Sequence, residues 1–224
     1  MIKEIKVFGK DLKVNLESDA DLSVFEEIFV DRDYKIVDDI IKRASVVIDV
    51  GAHLGFFSLY CAFLSPDVKV FSFEPDERNY GLLKKNLQEN RVRNVVSKNS
   101  AVSEIVGEVE LNLAEDSHNH SLILAQSDKK KRVFSTTLQT ICSKFSIEKC
   151  DLVKLDCEGA EFKILENIDS ATFGKIGAFV IEYHEYFPEM KKEKLVEVLK
   201  RHGCKVQIFP SHYDKRMGMI LATS

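Results

Sequence analysis

The rhythm of hydrophobic and polar positions changes near residue 46. Before it, Ile5, Val7 and Phe8 lead into Gly9-Lys10-Asp11, and Leu12, Val14 and Leu16 then alternate with polar residues. Alternation on both sides of a glycine turn predicts a hairpin with one buried face. Asp19 or Asp21 is placed to cap a helix over Leu22 to Val30. Val37 to Ala44 predicts a second short helix, with Ile36, Val37, Ile40 and Ile41 as its apolar face.

From Val46 the runs become continuous. Val46-Val47-Ile48-Asp49-Val50 is short and β-branched, as in a strand buried on both faces of a parallel sheet. A helix over Phe56 to Leu64, a strand over Val68 to Phe73, an amphipathic helix over Pro75 to Asn90 and a strand over Val95 to Val102 follow. This order is the signature of βαβ units. Val109 to Leu113 alternates and predicts a further strand. Ala114 to Arg132 reads as polar, with Asp116 to Ser121 at its head and Lys129 to Arg132 at its tail, and predicts a long mobile insertion. After a short strand at Val133 to Thr136 and a helix at Leu138 to Phe145, the βαβ rhythm resumes. It runs through a strand at Leu152 to Asp156, a helix at Ala160 to Ile168, a strand at Ala178 to Tyr183 and a helix at Glu189 to His202. Two last strands, Lys205 to Phe209 and Met217 to Ala222, are joined by a turn at Pro210. The expectation is an N-terminal extension over residues 1–45 packed on a core over 46–224.

Composition narrows this picture. A chain of 224 residues holds one α/β domain comfortably and two with difficulty. A net charge of −4, well mixed, argues against a protein whose main task is a broad grip on a nucleic-acid backbone. No apolar run approaches the ~20 residues that a membrane helix needs, and Met1 to Lys6 lacks a signal-peptide core. The five cysteines are odd in number and show no CxxC spacing, so free thiols and a cytoplasmic location are expected.

Two acidic clusters carry the candidate chemistry. The first is the loop Asp49-Val50-Gly51-Ala52-His53-Leu54-Gly55, which follows a buried strand and opens a helix. Gly51 permits a tight turn and close approach of backbone to a ligand, and Gly55 permits close packing. Glu74, ending the next strand before Pro75, suits both hydroxyls of a ribose. A dinucleotide loop would read GxGxxG, but position 53 is His, which disfavours a nicotinamide oxidoreductase. An acid two residues before the first glycine suits a ligand with an ammonium group and no phosphates, such as S-adenosylmethionine. The second cluster, Asp156, Glu158 and Glu161, follows a later strand and faces the same crevice by the strand-end rule. Glu182 and His184 share one face of the next strand. His184 is the candidate general base by intrinsic pKa, and a carboxylate can also serve. The same residues leave open a divalent metal that activates a hydroxyl, although it is not the favoured reading. Glu158 and Glu161 can alternatively cap a helix N-terminus. His118 and His120 in the polar insertion could reach over the site, and Lys129 to Arg132 could meet an acidic acceptor. Cys157 reads as a buried thiol.

The stretches Val47 to Ser58, Phe73-Glu74-Pro75, Asn99 to Ser103 followed by Gly107, Val153 to Glu161 and Ile181 to His184 resemble the FkbM family of class I S-adenosylmethionine-dependent methyltransferases. The early motif is shared by many methyltransferases; Lys154-Leu155-Asp156-Cys157-Glu158-Gly159-Ala160-Glu161 is the more specific part. The resemblance implies a doubly wound α/β fold, with a mostly parallel seven-stranded sheet of Rossmann-like form behind the N-terminal extension. It implies transfer of a methyl group, usually to oxygen, on a small molecule or glycan. By position, Asp49, Gly51 and Gly55 would hold the amino acid end of the cofactor, with His53 in the same loop. Glu74 would bind the ribose, Ser100 and Ala101 would flank the adenine, and Asp156 would meet both sulfonium and acceptor. Asp156, His184 and Glu158 are the expected catalytic residues. RNA methylation is the alternative, and Asp156-Cys157-Glu158-Gly159, standing where base methylases carry an aromatic motif, disfavours it. A scaffold that binds cofactor without catalysis is a further alternative, against which the intact acids argue.

Overall fold

In the computed structural model, residues 1–113, 121–122, 129–185, 190–211 and 214–224 are described. His118 and His120 lie outside the described residues. The chain opens with β1 (Ile2–Val7) and β2 (Lys10–Asn15), an antiparallel hairpin. Its turn is Phe8-Gly9, one step earlier than the pattern suggested: both residues have positive φ, as a two-residue hairpin turn requires. Next comes α1 (Asp19–Glu26), continued by a π-helical turn at Glu27–Asp31. The cap is Ser18 rather than either aspartate. Its hydroxyl accepts from the Asp21 N–H, while the Asp21 carboxylate accepts from the Ser18 N–H. This reciprocal box satisfies two helix-end donors at once. A 3₁₀ turn at Asp33–Val37 and α2 (Asp38–Ile41) occupy the predicted second helix, which is shorter than expected.

The core begins with β3 (Val46–Val50), α3 (Phe56–Leu64), β4 (Lys69–Glu74) and α4 (Glu77–Glu89). The predicted strand over 95–102 divides at Ser100 into β5 (Val95–Asn99) and β6 (Ala101–Val102). Then follow β7 (Gly107–Asn112), β8 (Lys130–Thr136), α5 (Leu138–Lys144), β9 (Leu152–Leu155), α6 (Ala160–Asn167) and α7 (Ser170–Phe173). The chain closes with β10 (Ala178–His184), α8 (Lys192–Arg201), β11 (Lys205–Pro210) and β12 (Met217–Thr223). Pro210 ends β11 instead of forming the turn.

Seven strands form one sheet in the order β11-β12-β10-β9-β3-β4-β5. Neighbours from β10 to β5 run parallel, and β12 is antiparallel to both of its neighbours. Strand alternation divides the core between the two faces. Val47, Val70 and Leu152 pack with Phe56, Phe57 and Leu83 on one face. Ile48, Phe71 and Val153 pack with Ile141, Ile164 and Leu195 on the other. The hairpin and first helix extend the former cluster through Val7, Leu12, Phe25 and Phe29. Asn86 of α4 locks this junction: its side-chain oxygen accepts from the Asn15 N–H, and its amide donates to the Leu54 carbonyl. A second sheet, β6-β8-β7, stands beside the end of β5.

The basic run differs from expectation. Lys130, Lys131 and Arg132 belong to β8, not to an insertion. Lys130 pairs with Glu110 and Arg132 with Glu108 across the strands, while Lys131 faces Asp76 and Glu77. Acids of β7 and of the start of α4 thus stand opposite its three basic side chains.

Candidate active site

The carboxyl ends of β3, β4, β9 and β10 surround a cavity of about 320 Å³, within the usual range for small-molecule sites. Gly51 and His53 come from the loop after β3, Glu74 and Pro75 from the end of β4, and Ala101 and Val102 from β6. Asp156, Cys157 and Glu158 follow β9, and Glu182 and His184 end β10. Leu111 and Leu122 close one side. Ala20, Ser23, Val24 and Glu27 of the first helical segment close another.

Gly51 has φ +73°, and a Cβ on it would lie 1.7 Å from the Asp156 carbonyl oxygen. Only a glycine lets the β3 and β9 loops touch, so loop and acid form one continuous wall. The Gly51 and Ala52 N–H groups both donate to the Phe73 carbonyl, which fixes the loop against β4. Glu74 is buried, and its carboxylate accepts from the N–H groups of His53 and Asp76. Burial raises its pKa, against the pull of His53 and of these two donors. The His53 ring is 3.3 Å from Asp21, which ties the glycine loop to α1.

Asp49 does not line the cavity. Alternation along β3 places it on the face of Val47, where it is 0% exposed. There it accepts from Ser58 at 2.6 Å and lies 3.5 Å from the Lys154 ammonium. Gly55 and Ser100 do not line it either. Gly55 packs against Leu83 of α4, and the Ser100 hydroxyl donates to backbone carbonyls, including that of Phe134.

Lys154 is the residue that sequence reasoning passed over. It is 4% exposed in the middle of β9. Its ammonium donates to the Gly51 carbonyl at 2.7 Å and lies 3.0 Å from the Asp156 carboxylate. Burial opposes its charge, but Asp156 and Asp49 outweigh that and raise its pKa. Burial likewise opposes the charge of Asp156, but Lys154 and then His184 hold its carboxyl below the ordinary range. Asp156 is thus a fixed anion facing the cavity. A lysine inside an aliphatic run was the available signal, because a buried lysine needs an acidic partner.

Around Asp156 the other acids are pushed the opposite way. Burial, then the charges of Asp156 and Glu161, raises Glu158 well above the carboxylate range. Burial, then Asp156 and Glu158, does the same to Glu182. His184 Nε2 lies 3.8 Å from Glu182 and 3.9 Å from Glu158. Glu158 has φ +53° and a buried Oε2 that accepts no hydrogen bond among the described residues. Glu161 is the capping acid: it accepts from the N–H groups of Cys157 and Gly159 at the start of α6. Burial and neighbouring acids push the Cys157 thiol well up. Among the described residues, no group of three or more His, Cys, Asp or Glu is arranged to hold a metal ion.

The model of the methyltransferase FkbM domain matches residues 49–206. The chain belongs to the FkbM methyltransferase family. It is 27% identical to the AMB antimetabolite synthetase AmbE of Pseudomonas aeruginosa, over 83% of this chain and 11% of that protein. It thus spans about a tenth of that relative. It is 24% identical to the 31-O-demethyl-FK506 methyltransferase FkbM of Streptomyces tacrolimicus, over 82% of this chain and 81% of that one. Among solved structures, the FkbM methyltransferase of Methylobacillus flagellatus KT superposes with a TM-score of 0.56 at 14% identity, over 80% of this chain and 43% of that chain. The SMU.1697c protein of Streptococcus mutans, solved in complex with SAH, superposes with a TM-score of 0.50 at 14% identity, over 86% and 97%. These likenesses agree with the mostly parallel, Rossmann-like sheet. No helix among the described residues is long and apolar enough to cross a membrane.

Proposed function

We propose that this methyltransferase uses S-adenosylmethionine and methylates a hydroxyl oxygen of a small molecule or glycan. The observation that carries this reading is the wall where Gly51 meets Asp156, with the Asp156 carboxylate fixed as an anion by buried Lys154. A fixed carboxylate beside a loop whose Gly51 and Ala52 N–H groups are taken up by the Phe73 carbonyl suits a cationic sulfonium better than a pyrophosphate. The SAH held by the Streptococcus mutans neighbour supports the same ligand class.

The residues fit that ligand in sequence along the cavity. Gly51 and His53 would face its amino acid end, and Glu74 would accept from the ribose hydroxyls. Ala101 and Val102, with Leu111 and Leu122, would enclose the adenine. Asp49 would act through Lys154 and Ser58, and Gly55 and Ser100 through the loops they shape. When bound, S-adenosylmethionine supplies a methyl group activated by positive sulfur. The acceptor oxygen would take the methyl carbon from that sulfur, which leaves as the neutral thioether, and His184 would take the acceptor's proton. Asp156 stabilises the resulting imidazolium, while Glu158 and Glu182 orient the ring from 3.9 and 3.8 Å.

Transfer of labelled methyl from S-adenosylmethionine into fractions of a cell extract, with nuclease and chelator controls, tests this reading. Label should enter a nuclease-resistant fraction, and chelator should leave the rate unchanged. Asp156→Asn and His184→Ala should each lower turnover about 10²- to 10⁴-fold while keeping affinity for S-adenosylhomocysteine, which lacks the sulfonium charge, within about threefold. Undiminished turnover in both variants would remove them from the catalytic set.

A further inference from the structure

A second cavity of about 600 Å³ adjoins the first and shares Ser23, Glu27, Glu182 and Met217 with it. One wall is acidic: Glu26, Glu27, Asp31, Asp33 and Glu182 line it, and no described lining residue is Lys, Arg or His. With Glu26 at its edge, the π-helical turn at Glu27–Asp31 presents three of these acids in six residues. The other wall is apolar, with Phe209, Met217 and Met219 from the last two strands.

Part of this charge meets no cation among the described residues. Glu26, Glu27 and Asp31 form no ion pair among the described residues. The buried cation Lys154 is already committed to Asp156, Asp49 and the Gly51 carbonyl. At the inner end Glu158 is 6% exposed, lines the connected cavity and leaves Oε2 without a hydrogen-bond partner among the described residues. Glu27 retains exposed surface along the groove, yet partial burial, then Asp33, Asp156 and Asp31, push its carboxyl up to about 7. A ligand without positive charge leaves this repulsion in place, and an anionic one adds to it.

Resting on the methyltransferase reading above, we infer that the second cavity is the acceptor site and that the acceptor carries a protonated amine on a hydroxylated carbon skeleton, as amino sugars and amino alcohols do. The amine sits against Glu26, Glu27 and Asp31, the skeleton lies on Phe209 and the methionines, and the hydroxyl points past Glu182 toward His184. The acidic wall then selects the substrate, while Asp156 serves the methyl donor.

The test uses the full chain loaded with S-adenosylhomocysteine, titrated calorimetrically with two pairs of probes: glucosamine against N-acetylglucosamine, and trans-2-aminocyclohexanol against cyclohexanol. In at least one pair the amine should bind about tenfold tighter than its neutral partner. Glu26→Gln/Asp31→Asn, at two exposed positions that line only the second cavity, should reduce that preference below about twofold and leave S-adenosylhomocysteine affinity within about twofold. Equal binding within both pairs, preference for the neutral member, or no probe binding to the loaded protein overturns the inference and leaves the cofactor reading standing. Failure of S-adenosylhomocysteine itself to bind overturns the cofactor reading instead, and the same titrations on the unloaded chain then decide the amine preference separately.

Discussion

Lys154 connects the parts of the site that the motifs name one at a time. Its ammonium, on a side chain 4% exposed, reaches a loop carbonyl and two carboxylates, so removing it leaves the fully buried Asp49 charge without its cation. Lys154→Met should cost about 3–5 kcal/mol of unfolding free energy, read from urea denaturation. A loss under about 1 kcal/mol would show that Asp49 and Asp156 do not depend on it. The neighbouring acids give a pH signature. Glu182 and Glu158 titrate well above the ordinary range in the folded chain, so folding retains protons that the unfolded chain has released. Stability therefore falls as pH rises from the ordinary carboxylate range through these raised values. Glu182→Gln should flatten that fall and raise the melting temperature at about pH 9 relative to the parent protein. An unchanged slope between about pH 5 and 9 would assign the titration elsewhere. At this scale the sequence exposed Glu74, Asp156, Glu158 and His184, because strand-end acids and a period-two pair are visible as patterns. It did not expose the inward turn of Asp49, which depends on which face α3 covers, nor Glu27, which reaches the cavity through tertiary packing.

Elements were legible where burial imposed a period. The βαβ series from β3 to α4 and from β9 to β10 agrees with its predicted positions to within a few residues. The misses have local causes. The strand that leaves one sheet for another at Ser100 has no glycine or proline there, and the polar run Ser97-Lys98-Asn99-Ser100 was its only mark in the sequence. The basic run looked like loop because its cross-strand partners, Glu108 and Glu110, lie some twenty residues away. Two glycines separate local conformation from contact. Gly51→Ala forces a Cβ against the Asp156 carbonyl and should abolish S-adenosylhomocysteine binding, with a melting loss matching about 2–5 kcal/mol. Gly9→Ala also adopts positive φ but meets nothing within 4 Å, so it should cost about 1 kcal/mol and leave binding intact. Equal effects on binding would refute the contact argument. Asn86→Ala should cost about 1–3 kcal/mol, because it leaves the Asn15 N–H and the Leu54 carbonyl without their buried partner.

Across the whole molecule, the family match begins at residue 49, yet the cavity is not closed without residues that precede it. Ala20, Ser23, Val24 and Glu27 complete its wall, and the Asp21–His53 contact joins that wall to the glycine loop. On the proposed reading, residues outside the family match thus help to shape both the cofactor cavity and the adjoining acidic groove. The mild net charge of −4 conceals this arrangement, since basic residues on β8 are paired with acids, while Glu26, Glu27 and Asp31 in the groove form no ion pair among the described residues. The most direct measurement is calorimetric titration of the full chain with S-adenosylhomocysteine and, separately, with NAD. One molecule of S-adenosylhomocysteine should bind per chain, Glu74→Gln should weaken it about tenfold or more by loosening the grip on the ribose hydroxyls, and NAD should not bind. Binding of NAD without S-adenosylhomocysteine, or an affinity unmoved by Glu74→Gln, would contradict the account.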